Sequence, residues 1–138
     1  MFYIFGFYKF KKLLYLKRIR NILLQKLIQF NLRGTIIISK EGVNGSISGK
    51  KNNIKKIKKD IKIICKITKF DSLSISKNSF QPFHKCKIKI KKELVPLGIH
   101  VLESQKLNNS VEPKKWNSLL REKDIKIIDA RKPFEYDV

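Results

Sequence analysis

The sequence is poor in acidic residues, in cysteine and in long apolar runs, and each shortage removes a class of protein. Asp and Glu number 11 against 32 Lys and Arg in 138 residues, a formal charge of +21 with a pI near 10.1. That excludes an acidic-tail protein and favours a polyanionic partner, either nucleic acid or an anionic membrane surface. The two cysteines, Cys65 and Cys86, lie far apart and form no CxxC pair. They supply neither the disulfide framework of a small secreted domain nor the four closely spaced ligands of a zinc site. They read as two reduced, buried thiols of a cytoplasmic protein, and no metal site is expected. No uncharged apolar run approaches the ~20 residues of a membrane span. The apolar start, MFYIFGFYKFKK, has no basic segment before it and no small-residue cleavage site after it, so no targeting signal is assigned. His84 and His100 are isolated, and no GxxxxGK[ST] phosphate loop exists.

Hydrophobic residues make up 42% of the chain, enough to build a packed core. The charge is uneven. Residues 1–92 hold 24 basic and 3 acidic residues, whereas 93–138 hold eight of each. An AT-rich genome would explain the preference for Lys over Arg, but not a neutral last third.

Local patterns give an element order. Residues 2–8 (FYIFGFY) read as a strand, and Leu16, Ile19, Leu23, Leu27 and Phe30 mark one face of a helix over about 12–30. Residues 33–39 and 45–49 read as two strands of a hairpin joined by the turn KEGVNG, a loop longer than the two-residue minimum. Ile54, Ile57, Ile61 and Ile64 mark a second helix over about 52–65, its remaining surface filled with lysines. Residues 66–83 read mostly as loop, with at most a short strand. Residues 84–92 alternate strictly, Cys86, Ile88 and Ile90 against Lys85, Lys87, Lys89 and Lys91, and so form a strand with one buried face.

The order β-α-β-β-α-β predicts an α+β, ferredoxin-like domain over 1–92, with two helices on one sheet face and the other face open. A linker follows over 93–110. A short helix from Pro113 and a buried strand over 125–129 then begin a second unit, 111–138.

The open face is the first candidate site. Four alternating lysines beside aromatic residues suit phosphate contact and base stacking; the same aromatics would equally serve as core. Tyr3, Phe5 and Phe7 lie on one side of the first strand, and Phe2, Ile4 and Tyr8 on the other. The loop Lys40–Gly45 could present backbone N–H groups to a phosphate, or be simply a turn. Membrane-surface binding by the basic second helix is weakened by an isoleucine-only stripe without Trp or Phe. Asp129, Glu135 and Asp137 cluster near the end, but no nucleophile follows them, and no catalytic residue is assigned.

The segments FYKF (7–10), GTIIISKEGVNGSISG (34–49), FQPFHKCKIKIKKELVPLG (80–98), VEPKKWNSLL (111–120) and IIDARKPFEYDV (127–138) together resemble the bacterial tRNA uridine(34) hydroxylase family, which are rhodanese-domain proteins. The resemblance implies a ferredoxin-like domain followed by the start of a rhodanese-like α/β domain. It implies oxygen-dependent conversion of the wobble uridine of tRNA to 5-hydroxyuridine, with molecular oxygen as co-substrate and no other identifiable cofactor. Asp129, Arg131, Glu135 and Tyr136 match a D-x-R-x-x-x-E-Y pattern that shapes the loop after the first rhodanese strand. The family's catalytic cysteine loop, roughly C-T-G-G-I-R-C, is not among these residues, so the chain reads as an N-terminal fragment that is inactive alone. A sulfurtransferase would need the same loop; a non-catalytic RNA-binding module would not. With tRNA as the expected partner, Arg33, Lys40, Lys85, Lys87, Lys89 and Lys91 are the expected phosphate contacts. Asn44 and Phe83 join them from family-like motifs.

Overall fold

Two apolar stripes place two helices. In the computed structural model, which describes residues 1–94, 111–129, 131 and 136, helix α1 runs Leu16–Gln29 and buries Ile19, Leu23 and Leu27. Helix α2 runs Lys51–Ile64 and buries Ile54, Ile57 and Ile61. Both end in the same way. The residue after the C-cap, Asn31 or Lys66, takes a left-handed conformation (φ 48° and 53°). The N–H groups of Leu32 and Ile67 then donate back to the carbonyls of Leu27 and Lys62, each at 2.8 Å. Leu32 and Ile67 are themselves buried, completing the apolar contact of a Schellman cap. Helix α1 starts later than its pattern predicts, because Lys11 and Leu13 donate their N–H groups to the carbonyls of Glu41 and Lys40. The segment before Leu16 is thereby tied to the neighbouring hairpin.

Five strands make one sheet: β1 (Phe2–Phe10), β2 (Arg33–Ser39), β3 (Gly42–Gly49), β4 (Ser72–Asn78) and β5 (Cys86–Ile90). Their order is β4-β1-β3-β2-β5. All pairs are antiparallel except β2 with β5, which is parallel. The core lies between the sheet and the two helices, around Phe5, Phe7, Ile36, Ile38, Val43, Ile47 and the two helical stripes. Phe5 and Phe7 stack at 4.7 Å, with Phe70 set edge-on to Phe5.

The ferredoxin-like plan is present, but the strand that completes it is not the expected one. Residues 72–78 occupy the edge beside β1, where the last strand of the plan belongs. The lysine strand is a fifth strand added beside β2, at the opposite edge. The serines of SLSIS read as loop because serine is a turn residue, yet their alternation with Leu73 and Ile75 is strand-like. The connection 79–85 must cross four inter-strand spacings, about 19 Å, within the roughly 25 Å reach of seven residues. Gln81 Nε2 donates to the carbonyl of Ser48 on the middle strand (3.3 Å), pinning that crossing midway.

The hairpin is also tighter than expected. Ser39 pairs with Gly42, leaving Lys40 and Glu41 as a two-residue turn, and Gly42–Gly49 is all strand. Its backbone is paired on both sides, so no phosphate-cradling loop exists at 42–45. Gly42 (φ 152°) is needed for close packing: a Cβ there would run into the carbonyl oxygen of Lys9.

The chain divides into two compact units, Met1–Ser104 and Gln105–Val138. Most of the expected linker lies outside the described residues. Leu94 is buried, and its N–H donates to Glu41 Oε2 at 2.9 Å. In the second unit, helix α3 (Pro113–Leu119) begins on Pro113 with Glu112 as N-cap, as expected. Residues 125–129 are not a strand and are exposed. A strand needs a hydrogen-bonding neighbour, and none pairs with these residues among those described.

Candidate nucleic-acid interface

Residues directly opposite across a ladder share a sheet face, so the registers assign every side chain. The face away from the helices carries Phe2, Ile4, Tyr8 and Phe10 from β1 and alternating serines from β4. Asn44, Ser46 and Ser48 come from β3, Arg33, Thr35 and Ile37 from β2, and Lys87 and Lys89 from β5. One row runs Ser74, Gly6, Ser46, Thr35, Lys87, and the next Ser72, Tyr8, Asn44, Ile37, Lys89. The result is a floor of small polar side chains between an aromatic row and a lysine row. The two rows are three strand spacings apart, about 14 Å.

The aromatics of β1 thus divide between two roles. Phe5 and Phe7 are core, whereas Tyr8 is exposed on the open face, with Phe10 beside it at 6.0 Å. The lysines do not adjoin these rings, as a fourth strand beside β1 would have placed them; two strands intervene.

The expected contact residues are spread accordingly. Lys87 and Lys89 stand on the open face, exposed. Lys85 and Lys91 extend the same edge, because the Gly34 N–H donates to the Lys85 carbonyl and the Lys91 N–H to the Ile38 carbonyl. Asn44 sits mid-face, partly buried. Arg33 opens β2 and Lys40 follows its other end, so the two are about 23 Å apart. Phe83 lies half-buried in the connection 79–85, off the strands. The serines of β4, with Thr35 and Phe10, belong to the face but were not expected; the period-two pattern of SLSIS was the signal available.

No described position on this face is acidic. Asp71 accepts from Lys9 Nζ at 2.7 Å and from the Phe10 N–H at 2.8 Å. Asp60 faces Lys26 at 3.7 Å on the helix side. Glu41 holds Leu94. No acidic side chain shares the face positions of Lys87 and Lys89, which favours a positive potential there.

The cysteines do not provide a nucleophile. Burial pushes the Cys65 thiol up to about 11, against a smaller opposing pull from Lys11, and burial raises Cys86 as well. A reactive cysteine requires the opposite shift. Among the described residues, no group of three or more His, Cys, Asp or Glu is gathered to hold a metal. Nor is any described helix long and apolar enough to cross a membrane. In the second unit, Arg131 donates to both carboxylate oxygens of Asp129, the shortest contact being 2.6 Å. These hydrogen bonds hold Asp129 below the usual carboxylate range. Arg131 also lies over the Tyr136 ring at 5.4 Å.

Residues 2–94 match the family described as the UPF0176 acylphosphatase-like domain. The whole chain is 56% identical over 138 residues to a protein of Pelagibacter ubique named tRNA uridine(34) hydroxylase, and spans 46% of that protein's length. Among solved structures, full-length HypF, crystallised with phosphate and nucleotide, superposes with a TM-score of 0.50 at 15% identity. That match covers 67% of this chain and 12% of HypF. The acylphosphatase of Bacillus subtilis matches with a TM-score of 0.47 at 12% identity, over 66% of this chain and 100% of the enzyme. Identities this low speak to the fold alone; the family model names it acylphosphatase-like, and here that ferredoxin-type plan carries a fifth strand beside β2. The chain belongs to the UPF0176 acylphosphatase-like family and is a relative of the tRNA uridine(34) hydroxylases.

Proposed function

We propose that this chain is the tRNA-holding portion of an enzyme that hydroxylates the wobble uridine of tRNA to 5-hydroxyuridine, with molecular oxygen as co-substrate, in the cytoplasm. The observation that carries the proposal is the open face. Its lysine edge, Lys85 to Lys91, borders a small-residue floor without acidic groups, and aromatic rings stand on the far side. Phosphates would lie along the lysines and Arg33, with Lys40 and Phe83 at the rim. Asn44 would offer hydrogen bonds to sugar or base, and unstacked bases would lie on the rings of β1. The relative named tRNA uridine(34) hydroxylase supports both the substrate and the reaction. Residues beyond those of this chain would supply the chemistry, since Cys65 and Cys86 have the wrong electrostatics for nucleophilic or persulfide work. That same observation favours, for the 138 residues by themselves, a non-catalytic RNA-binding role.

The experiment is nucleoside mass spectrometry of tRNA from cells with and without the gene. Loss of 5-hydroxyuridine on deletion, restored by the intact gene, is the expected result. An unchanged 5-hydroxyuridine content would overturn the assignment of the reaction.

A further inference from the structure

A cavity of about 170 Å³ lies at the end of the sheet where β1, β2 and α2 begin, lined by Phe2, Asn31, Arg33, Lys50, Asn53 and Gln81. The lining contains two cations, three amides and one aromatic ring, with no acid. Two of the amides are held in place. Asn53 Nδ2 donates to the Phe30 carbonyl at 2.8 Å, and Gln81 Nε2 donates to the Ser48 carbonyl. Because a carbonyl can only accept, the Gln81 NH₂ must point to Ser48, which fixes Oε1 as the leftover end. That oxygen is buried and has no hydrogen-bond partner, as is the Ser48 hydroxyl. A buried acceptor left empty is costly and marks a place where a donor belongs. The Lys50 ammonium lies 4.6 Å from the centre of the Phe2 ring, which sets a cation beside an aromatic surface at the cavity.

We propose that this cavity holds one unstacked nucleotide of single-stranded RNA. Its phosphate would be on Arg33 and Lys50 and its base against Phe2, and the Gln81 amide, whose Oε1 has no accessible surface in the unliganded chain, would turn so that Oε1 accepts an N–H of the base edge. The volume is below the usual range of small-molecule sites and suits a single ring rather than a base pair. The proposal rests on the RNA-binding reading of the open face and extends it from backbone contact to recognition of an unpaired base. It also gives Arg33, which stands beside Lys85 at the start of β2, a second contact beyond the lysine edge.

The test uses the full 138-residue chain, with fluorescence anisotropy on a labelled single-stranded RNA and on the same sequence in a duplex. Gln81→Leu removes the acceptor, and with it the Nε2 hydrogen bond to the Ser48 carbonyl, at similar volume. It should weaken single-strand binding about tenfold, the worth of one good base-edge contact, while leaving duplex binding and the salt slope unchanged. Phe2→Leu, which also removes an open-face ring, should weaken single-strand binding as well; thermal melts of both variants confirm folding. Equal affinity of Gln81→Leu and the parent for the single strand would overturn the proposal while leaving the open-face reading intact. Equal losses on single strand and duplex would overturn it too. No RNA binding by the parent chain would overturn both readings together.

Discussion

Neutralising Lys85, Lys87 and Lys89 to Gln tests the lysine edge quantitatively. The three side chains are exposed, so their neutralisation buries no charge. Each phosphate contact contributes about 0.7 to the slope of log affinity against log salt for a single strand and about 0.9 for a duplex. Losing three contacts should therefore reduce the slope by about 2 to 3. Between 50 and 200 mM salt, the fall in affinity should shrink by about 20- to 40-fold relative to the parent chain. Filter binding of tRNA across that salt range measures it. The control is Lys55→Gln, Lys59→Gln and Lys69→Gln, exposed residues on and just after α2, which removes the same charge away from the open face. Equal slope changes in the two triple variants would show that net charge alone attracts the RNA, and would refute the assignment of β5 as the contact edge.

Three further outcomes follow from the packing. Ile57, fully buried between helix and sheet, should cost about 2–5 kcal/mol on truncation to Ala, read from urea denaturation; a loss below 1 kcal/mol would contradict its place in the core. Asp71→Asn should cost about 1–3 kcal/mol, because the carboxylate holds both the Lys9 ammonium and the Phe10 N–H, and added salt should recover little of it. The Cys65 thiol, raised by burial to about 11 from 9.0, stays protonated in the folded state where the unfolded chain ionises. Its contribution to stability is therefore full below pH 9 and is lost as pH rises toward 11, about 2–3 kcal/mol in total. Cys65→Ala should fall less steeply than the parent in melts across that window, and parallel curves would refute the shift.

The legible parts of the fold are those where burial imposes a period. The isoleucines of α2 and the leucines of α1 could be read at once, and so could the alternation at 85–91. What could not be read was which edge each strand would take. Strand β4 hid in a serine-rich segment whose outward side chains meet solvent, so only Leu73 and Ile75 carried a signal, and both remain exposed at the sheet edge. The lysine strand was identified as a strand with one apolar face, yet its partner depends on the crossing at 79–85. No local pattern announces that Gln81 will be pinned to Ser48. The same gap separates the expected site from the observed one. The individual lysines were recognisable by charge, but their distance from the rings of β1 follows from sheet order. The cavity at Phe2 and Gln81 joins residues from β1, the end of α1, β2, α2 and the β4–β5 connection, which no spacing in the sequence brings together.

The central claim is that the sheet face opposite the helices lies against tRNA. Its most direct test is photocrosslinking of the intact chain to tRNA carrying 4-thiouridine, with the crosslinked residues located by mass spectrometry. The account predicts adducts on Tyr8, Phe10, Phe2 and the lysines of 85–91, with little on the solvent side of α2. Adducts concentrated on Lys51, Lys55 and Lys59 instead, with the rings of β1 unlabelled, would contradict it.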